Sequence, residues 1–415
     1  MSDPMPDPAP APQVPANRPS PEPVTFGPIR DDADRRRYAA LCEYAFWDEP
    51  AAEPDISWVT NDGPGIIRLA RRGDRVVGGA VVTPAGQWFG GRCVPSALIG
   101  GVAVAPEDRG GGAGTAMVAD YLRAARDAGC AISALYPATY GLYRRTGYGE
   151  AGDMIRHELS TAALAGARPS VDGTTVREHD GDETLLRDLY RRYAARSAGL
   201  LERLDQHWSG RIRATGTQAL HAFVAERDGE AVGYVTFTQR REPAGRLADI
   251  RDFVPLDRGA ARALLAFFGG HQHNLARIQF WGSPNDPRLL DEHQTGRRVV
   301  GTEPWMLRIV NLPAALVRRG YNPVVTTTLH LDHHDDLMPD NTGRWIVRVA
   351  DGRATVERGG GGTIRTSSRG LSTIYGGGYR ATDVVDGAHL AATADALARL
   401  DLVFTGPAPW IANHF

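Results

Sequence analysis

The sequence predicts an α/β (α+β) chain made of two similar units in succession and a third, different one. Two observations carry that expectation. Residues 66–82 and 221–237 each read as strand, charged turn and strand, and each pair is followed by a further strand and a helix. Beyond residue 303 the pattern changes to a helix with proline in its first turn and a series of short strands.

The 415 residues suffice for several hydrophobic cores, and 42% hydrophobic with 23% charged residues is the balance of an ordinary globular protein. A formal net charge of −2 provides no basic field, so neither nucleic acid nor an anionic membrane surface is an expected partner. Cys42, Cys93 and Cys130 form no CxxC pair, which fits a reducing compartment and buried, apolar thiols better than a disulfide framework or a catalytic thiol. The sequence has no leader-like start and no long apolar run, so a cytoplasmic location is expected.

Along the chain, residues 1–24 are rich in proline and alanine and are expected to be a disordered tail. Asp31 to Trp47 has helical spacing, with Tyr38, Leu41 and Tyr44 on one face. Strands are expected at 66–70 and 76–82 around Gly73-Asp74, at 97–104 and at 132–135, and helices at 111–128 and near Tyr140. The second unit is expected to have a helix over 183–198, strands at 221–225, 231–237 and 250–254, and a helix over 257–271. In the third, a helix opens at Leu312, strands follow at 324–331, 343–349 and 353–357, and 381–400 reads as mostly helical. The resulting divisions are 1–24, 25–155, 156–302 and 303–415.

The chemistry is concentrated between Gly101 and Thr115. A strand (Val102, Ala103, Val104) runs into Arg109-Gly110-Gly111-Gly112-Ala113-Gly114-Thr115 and then into a helix. Glycines let the backbone adopt positive φ and approach a ligand closely. The free N–H groups of a helix start favour an anion, and Arg109 adds a full charge. A Walker loop needs Gly-Lys-Ser/Thr, which is absent, and a dinucleotide GxGxxG pattern meets Met117 or Thr115 where it needs a small residue. Nothing after the strand at Ile250 repeats the glycine-rich loop, so the second unit is not expected to bind the same ligand. His330-Leu331-Asp332-His333-His334-Asp335-Asp336 has metal-ligand residue types without a metal-site spacing, and no metal is expected.

Arg109-x-x-Gly112-x-Gly114 after Val102 and Val104 resembles the pyrophosphate loop of the GNAT superfamily of N-acetyltransferases. Leu142-Tyr143-Arg144-Arg145-Thr146-Gly147-Tyr148-Gly149 resembles a segment of the Eis (enhanced intracellular survival) acetyltransferases. Asn311–Leu316 with Gly320-Tyr321, and Leu371–Arg380, resemble parts of the last domain of that family. The resemblance implies tandem GNAT folds (25–155 binding acetyl-CoA, 156–302 degenerate) and a sterol-carrier-protein-like domain over 303–415. It also implies acetyl-CoA as co-substrate, with Ala138 and Thr139 completing its site, and a homo-oligomer, a hexamer in the family.

The same resemblance makes Tyr143 the general acid and the Phe415 α-carboxylate the general base. It places substrate contacts at Trp47, Asp48, Glu49 and Tyr136, although the two acids also fit a solvated loop at a helix end. It places a glutamate just before the terminal residue, in the substrate pocket; this chain has His414 there, a substrate contact that removes an anion expected to hold a polyamine and that could itself act as a base. The expected acceptor is a primary amine of a bulky cationic small molecule, such as an aminoglycoside or related antibiotic, which would imply a role in antibiotic resistance. Peptide lysines are a second class. The alternatives are an amine intermediate of a biosynthetic pathway and a non-catalytic acyl-CoA- or lipid-binding protein.

Overall fold

The computed structural model describes residues 22–46, 53–63, 65–165, 172–290 and 296–415. Ile66–Arg72, Arg75–Phe89 and Arg92–Val104 form an antiparallel meander. The turn at Gly73 needs its φ of +56°, which glycine adopts without a Cβ clash. Alternate side chains of these strands serve opposite faces. Ile67, Leu69 and Val76 pack with Tyr38 and Leu41 of the helix Asp32–Phe46. Val77, Ala80 and Val82 pack with Met117, Val118 and Leu122 of the helix Ala113–Asp127.

The second unit repeats this order with Leu220–Arg227, Glu230–Glu242, Gly245–Pro255 and the helix Arg258–Gly269. Two long strands join the units. Arg297–Ile309 pairs with Gly149–Ser160 along its length and, through Met306–Ile309, with Ile132–Leu135. Gly149–Ser160 pairs in turn with Arg277–Gly282. Among the described residues the result is one 13-stranded sheet. The divisions drawn at 155/156 and 302/303 therefore pass through strands that both units share.

The third unit is a five-stranded sheet ordered 353–358, 343–350, 327–334, 364–367 and 390–391. The helices Leu312–Arg318, Ser368–Tyr375 and Ala394–Phe404 cover it, and their Leu312, Leu371 and Leu400 share a core with Phe89, Leu98 and Trp305 of the main sheet. The expected helix over 381–400 is interrupted. Asp386 accepts hydrogen bonds from the amides of Ala388 and His389, Gly387 has φ +73°, and Leu390-Ala391 becomes an edge strand. The histidine-rich run is the end of the strand Thr327–His334, and its residues face different ways. His333 is buried against Thr366 at 2.8 Å, while the exposed His334 pairs with Asp336.

Candidate active site

The strands Arg92–Val104 and Ile132–Leu135 run parallel, but their pairing stops at Leu98–Ala134. From Ile99 onward the first strand has no partner on that side among the described residues. On its other side the register slips between Gly79–Ala103 and Val81–Gly100, which leaves Gly101 and Val102 out of the ladder. Gly101 has φ +61°, and its carbonyl accepts a hydrogen bond of 2.8 Å from the buried Tyr38 hydroxyl. A Cβ at Gly101 would lie 2.7 Å from that oxygen, so only glycine fits. The two diverging strands open a cleft edged by unpaired backbone.

At the mouth of the cleft, Asp108 is buried and held by Arg72 and Arg75, at 3.1 and 2.8 Å, which fixes the start of the glycine-rich loop. Gly110 and Gly112 have φ +78° and +81°, and a Cβ on either would meet nothing within 4 Å. The space above the loop is therefore open to a ligand. Gly112 begins the helix Ala113–Asp127 with no side-chain cap, so its N–H groups are available to an anion. Arg109 is exposed beside it, with its Nε donating to the Val104 carbonyl.

The second unit shows the contrast. There Asp257 caps the helix Arg258–Gly269 by accepting from the Ala260 amide at 2.9 Å, and Arg227 pairs with the same carboxylate. A carboxylate already occupies the place of an anion, which accounts physically for the missing glycine-rich loop.

A cavity of about 660 Å³ follows the cleft and is lined by Val102, Ala103, Val104, Arg109, Gly110, Gly112, Gly114, Thr115, Ala138 and Thr139. Gly111 and Ala113 lie in the same loop turn, Gly111 exposed and Ala113 buried in the helix start. Phe46, Val102, Ala138 and Tyr143 also line a second cavity of about 460 Å³, which reaches Tyr136, Glu303, His414 and Phe415. A third, of about 410 Å³, continues from His414 and Phe415 to Trp58, Gln206 and His207. Tyr143 thus stands on the wall shared by the loop cavity and the inner one.

Tyr143 is held from several directions. It lies in the short helix Tyr140–Arg145, and its carbonyl accepts from the Thr146 amide, the Thr146 hydroxyl and the Tyr148 amide at 2.9–3.0 Å. Arg308 clamps the following turn through the Thr146 carbonyl, and Asp335 of the third unit holds Arg308 at 2.6 Å. Tyr148 packs edge-on against the Tyr143 ring and hydrogen-bonds Ser133 at 2.7 Å. Burial pushes the Tyr143 phenol up to about 12, so it keeps its proton at any working pH.

The last residues thread between the first two units. Arg203 donates to Asn413 Oδ1 at 3.1 Å and forms a bidentate pair with the buried Asp252 at 2.6 and 2.7 Å. Arg211 bonds both Asp252 and the Ala412 carbonyl. Tyr136, a residue expected to contact substrate, gives its hydroxyl to the Asn413 and Ile411 carbonyls, and its ring stacks on His414. Its polar atom is thus occupied by the chain end, and only its ring remains for a ligand. The Phe415 main chain rests on Gly100. Trp47, Asp48 and Glu49 lie outside the described residues.

Sequence reasoning missed Glu303. Its carboxylate stands 3.3 Å from His414 Nδ1, in the region where His414 had seemed to remove an anion. No local motif marks it; the register of Arg297–Ile309, with Glu303 opposite Met154, brings it to the cavity.

Comparison with known proteins accords with this geometry. Models described as acetyltransferase (GNAT) domains match residues 29–151 and 199–309, and one described as a sterol carrier protein domain matches 312–412. N-acetyltransferase Eis of Mycobacterium tuberculosis is 29% identical over 399 residues, covering 89% of this chain and 94% of that protein. The structure of a GCN5-related N-acetyltransferase from Anabaena variabilis superposes with a TM-score of 0.85 at 30% identity, covering 95% of this chain and all (100%) of that one. One from Kribbella flavida gives 0.81 at 28% identity, covering 96% and 100%. With a bare helix start at a glycine-rich loop, a cleft of unpaired backbone, and relatives matched almost end to end, the chain belongs to the Eis-like GCN5-related N-acetyltransferases, two acetyltransferase folds followed by a sterol-carrier-protein-like domain, and it is an N-acetyltransferase whose co-substrate is acetyl-CoA.

Proposed function

We propose that this enzyme acetylates a primary amine of a bulky cationic small molecule, with Tyr143 as general acid and the Phe415 α-carboxylate as general base. One observation carries the reading: Tyr143 and Phe415 line the same inner cavity, and Tyr143 also faces the cavity above the glycine-rich loop. Acyl transfer to an amine needs a donor for the leaving thiolate and an acceptor for the amine proton on either side of one carbonyl. The buried phenol is a neutral donor, and the chain end, resting on the backbone at Gly100, is an anionic acceptor. Backbone N–H groups of the unpaired stretch near Val102 suit the thioester carbonyl as its charge develops. Pyrophosphate is assigned to the loop from Arg109 to Thr115, with Ala138 and Thr139 along the pantetheine path.

Cavities of about 460 and 410 Å³ on the acceptor side favour a large acceptor, and Glu303 supplies negative charge for a cationic one. Aminoglycosides and related antibiotics fit that description, as do extended lysine side chains of peptides. Trp47, Asp48 and Glu49 follow the helix that ends at Phe46 and are assigned as further acceptor contacts. A homohexamer is part of the same reading, testable by sedimentation. The direct test is coenzyme A release from acetyl-CoA with a panel of amines, including aminoglycosides. Turnover with bulky cationic amines is expected, and its loss when a few residues are added after Phe415, with acetyl-CoA affinity retained. Full activity in the extended protein would remove Phe415 from the mechanism. Tight cofactor binding without turnover of any amine would leave a binding protein.

A further inference from the structure

We propose that His414, oriented by Glu303, is a second catalytic base that removes the first proton from the acceptor's ammonium group; the inference rests on the acceptor site proposed above. An amine arriving as R–NH3⁺ must shed two protons. The first frees the lone pair that forms the C–N bond. The second leaves nitrogen as the C–S bond breaks and its electron pair departs with sulfur. One proton is returned to the thiolate by Tyr143, whose phenol is then restored, so one proton is released per turnover. The two losses make different demands. The nitrogen bonded to the reacting carbon is a strong acid, and a carboxylate such as that of Phe415 suffices for it. An alkylammonium is a weak acid. An α-carboxylate, ordinarily near ~3.5, is a poorer base for it than an imidazole near ~6.5, by about a thousandfold.

The geometry supplies that imidazole in a usable state. Glu303 Oε2 lies 3.3 Å from His414 Nδ1. A carboxylate beside Nδ1 favours the tautomer with its proton there, which leaves the lone pair on Nε2. An imidazole within ion-pair distance of a carboxylate is the pairing from which such a base is built. The ring is fixed by stacking on Tyr136 at 5.1 Å and an edge contact with Trp281 at 6.1 Å. Its side chain is 54% exposed and lines both acceptor cavities, so an incoming amine meets it. Among the described residues, the charged and titratable groups around it are few. Glu303 comes from the strand 297–309, Tyr136 follows 132–135, and Phe415 ends the chain. Arg156 lies over the Trp281 ring, Arg211 holds the Ala412 carbonyl, and His207 lines the adjoining cavity. Glu303 is the anion in direct contact, and it stabilises the imidazolium that forms.

The test uses the full-length protein, coenzyme A release, the fastest amine of the panel, and the aminooxy (R–O–NH2) analogue of the same carbon skeleton, whose weakly basic nitrogen is already neutral at the assay pH. His414→Gln is expected to lower kcat/KM for the amine on the order of a hundredfold near neutral pH, and to leave a rate that climbs with pH toward the alkylammonium's own pKa near ~10.4 as free amine becomes available. The same variant should leave the aminooxy rate and the acetyl-CoA KM within about threefold of wild type. Glu303→Gln should slow the amine by less and likewise leave the aminooxy rate within about threefold of wild type. Equal slowing of the amine and its aminooxy analogue would make His414 a packing residue, and unchanged rates with both would likewise overturn the proposal. If wild-type protein acetylates no amine at all, the acceptor reading itself fails and this inference falls with it, before any variant is compared.

Discussion

Gly100 and Phe415 meet backbone to backbone: a Cβ on Gly100 would lie 2.8 Å from both the main-chain carbonyl carbon and the oxygen of Phe415. Contact that close leaves no room for a methyl group, so Gly100→Ala must push the chain end away from the splayed strand. Turnover should fall on the order of a hundredfold, as expected for a reacting group displaced by about 1 Å. Calorimetric acetyl-CoA affinity should change little, because the loop lies at the other end of the cleft. Unchanged turnover would detach Phe415 from the chemistry.

Tyr143→Phe keeps the ring packed against Tyr148 and removes only the hydroxyl. The kcat is expected to drop by about 10²–10⁴, the usual worth of a positioned acid, with the acetyl-CoA KM nearly constant. Equal effects on binding and rate would reduce Tyr143 to a wall of the cavity.

The second unit suggests a substitution at the loop. Gly112→Asp places a carboxylate at an uncapped helix start, where Asp257 stands in the degenerate copy. It should raise the acetyl-CoA KM by about tenfold or more, through repulsion of the anion and loss of the helix-start N–H groups. Activity at saturating acetyl-CoA should recover most of the deficit.

The tail's anchor should be acid-sensitive. Burial, together with Arg203 and Arg211, pushes His207 down to about 4. Between that pH and the ordinary imidazole value near ~6.5, the unfolded chain binds a proton that the folded protein refuses. The stability this group protects is therefore present above the unfolded value and lost as pH falls, by about 1.4 kcal/mol per unit. Burial pushes His333 in the same direction. Thermal midpoints should decline from about pH 6.5 toward 4, and His207→Gln should flatten that slope.

Asp335 tests the clamp on the acid-bearing helix. It is buried, pairs with Arg308, and accepts from Asn341 and the Leu337 and Met338 amides. Asp335→Ala strands a buried guanidinium and should cost about 3–5 kcal/mol of stability. Denaturant unfolding would measure it, and a loss below about 1 kcal/mol would mean that water reaches Arg308 freely.

Local patterns in the sequence were enough for the repeated strand–turn–strand units, the glycine-rich loop and its anion-binding character, because each depends on neighbours a few residues apart. The strand–turn–strand pattern at 66–70 and 76–82, the glycine-rich loop at 109–115 and the helix that follows it are of this kind. Gly149–Ser160 and Arg297–Ile309 escaped because charged residues interrupt their alternation, and pairing with each other and with both units makes them strands. Tertiary structure alone decided the acceptor site. Glu303 reaches His414 through the register of a strand more than 100 residues earlier in the chain, and Tyr136 turns out to grip the tail rather than offer its hydroxyl. Such placements depend on long-range packing and register, which no short sequence window encodes.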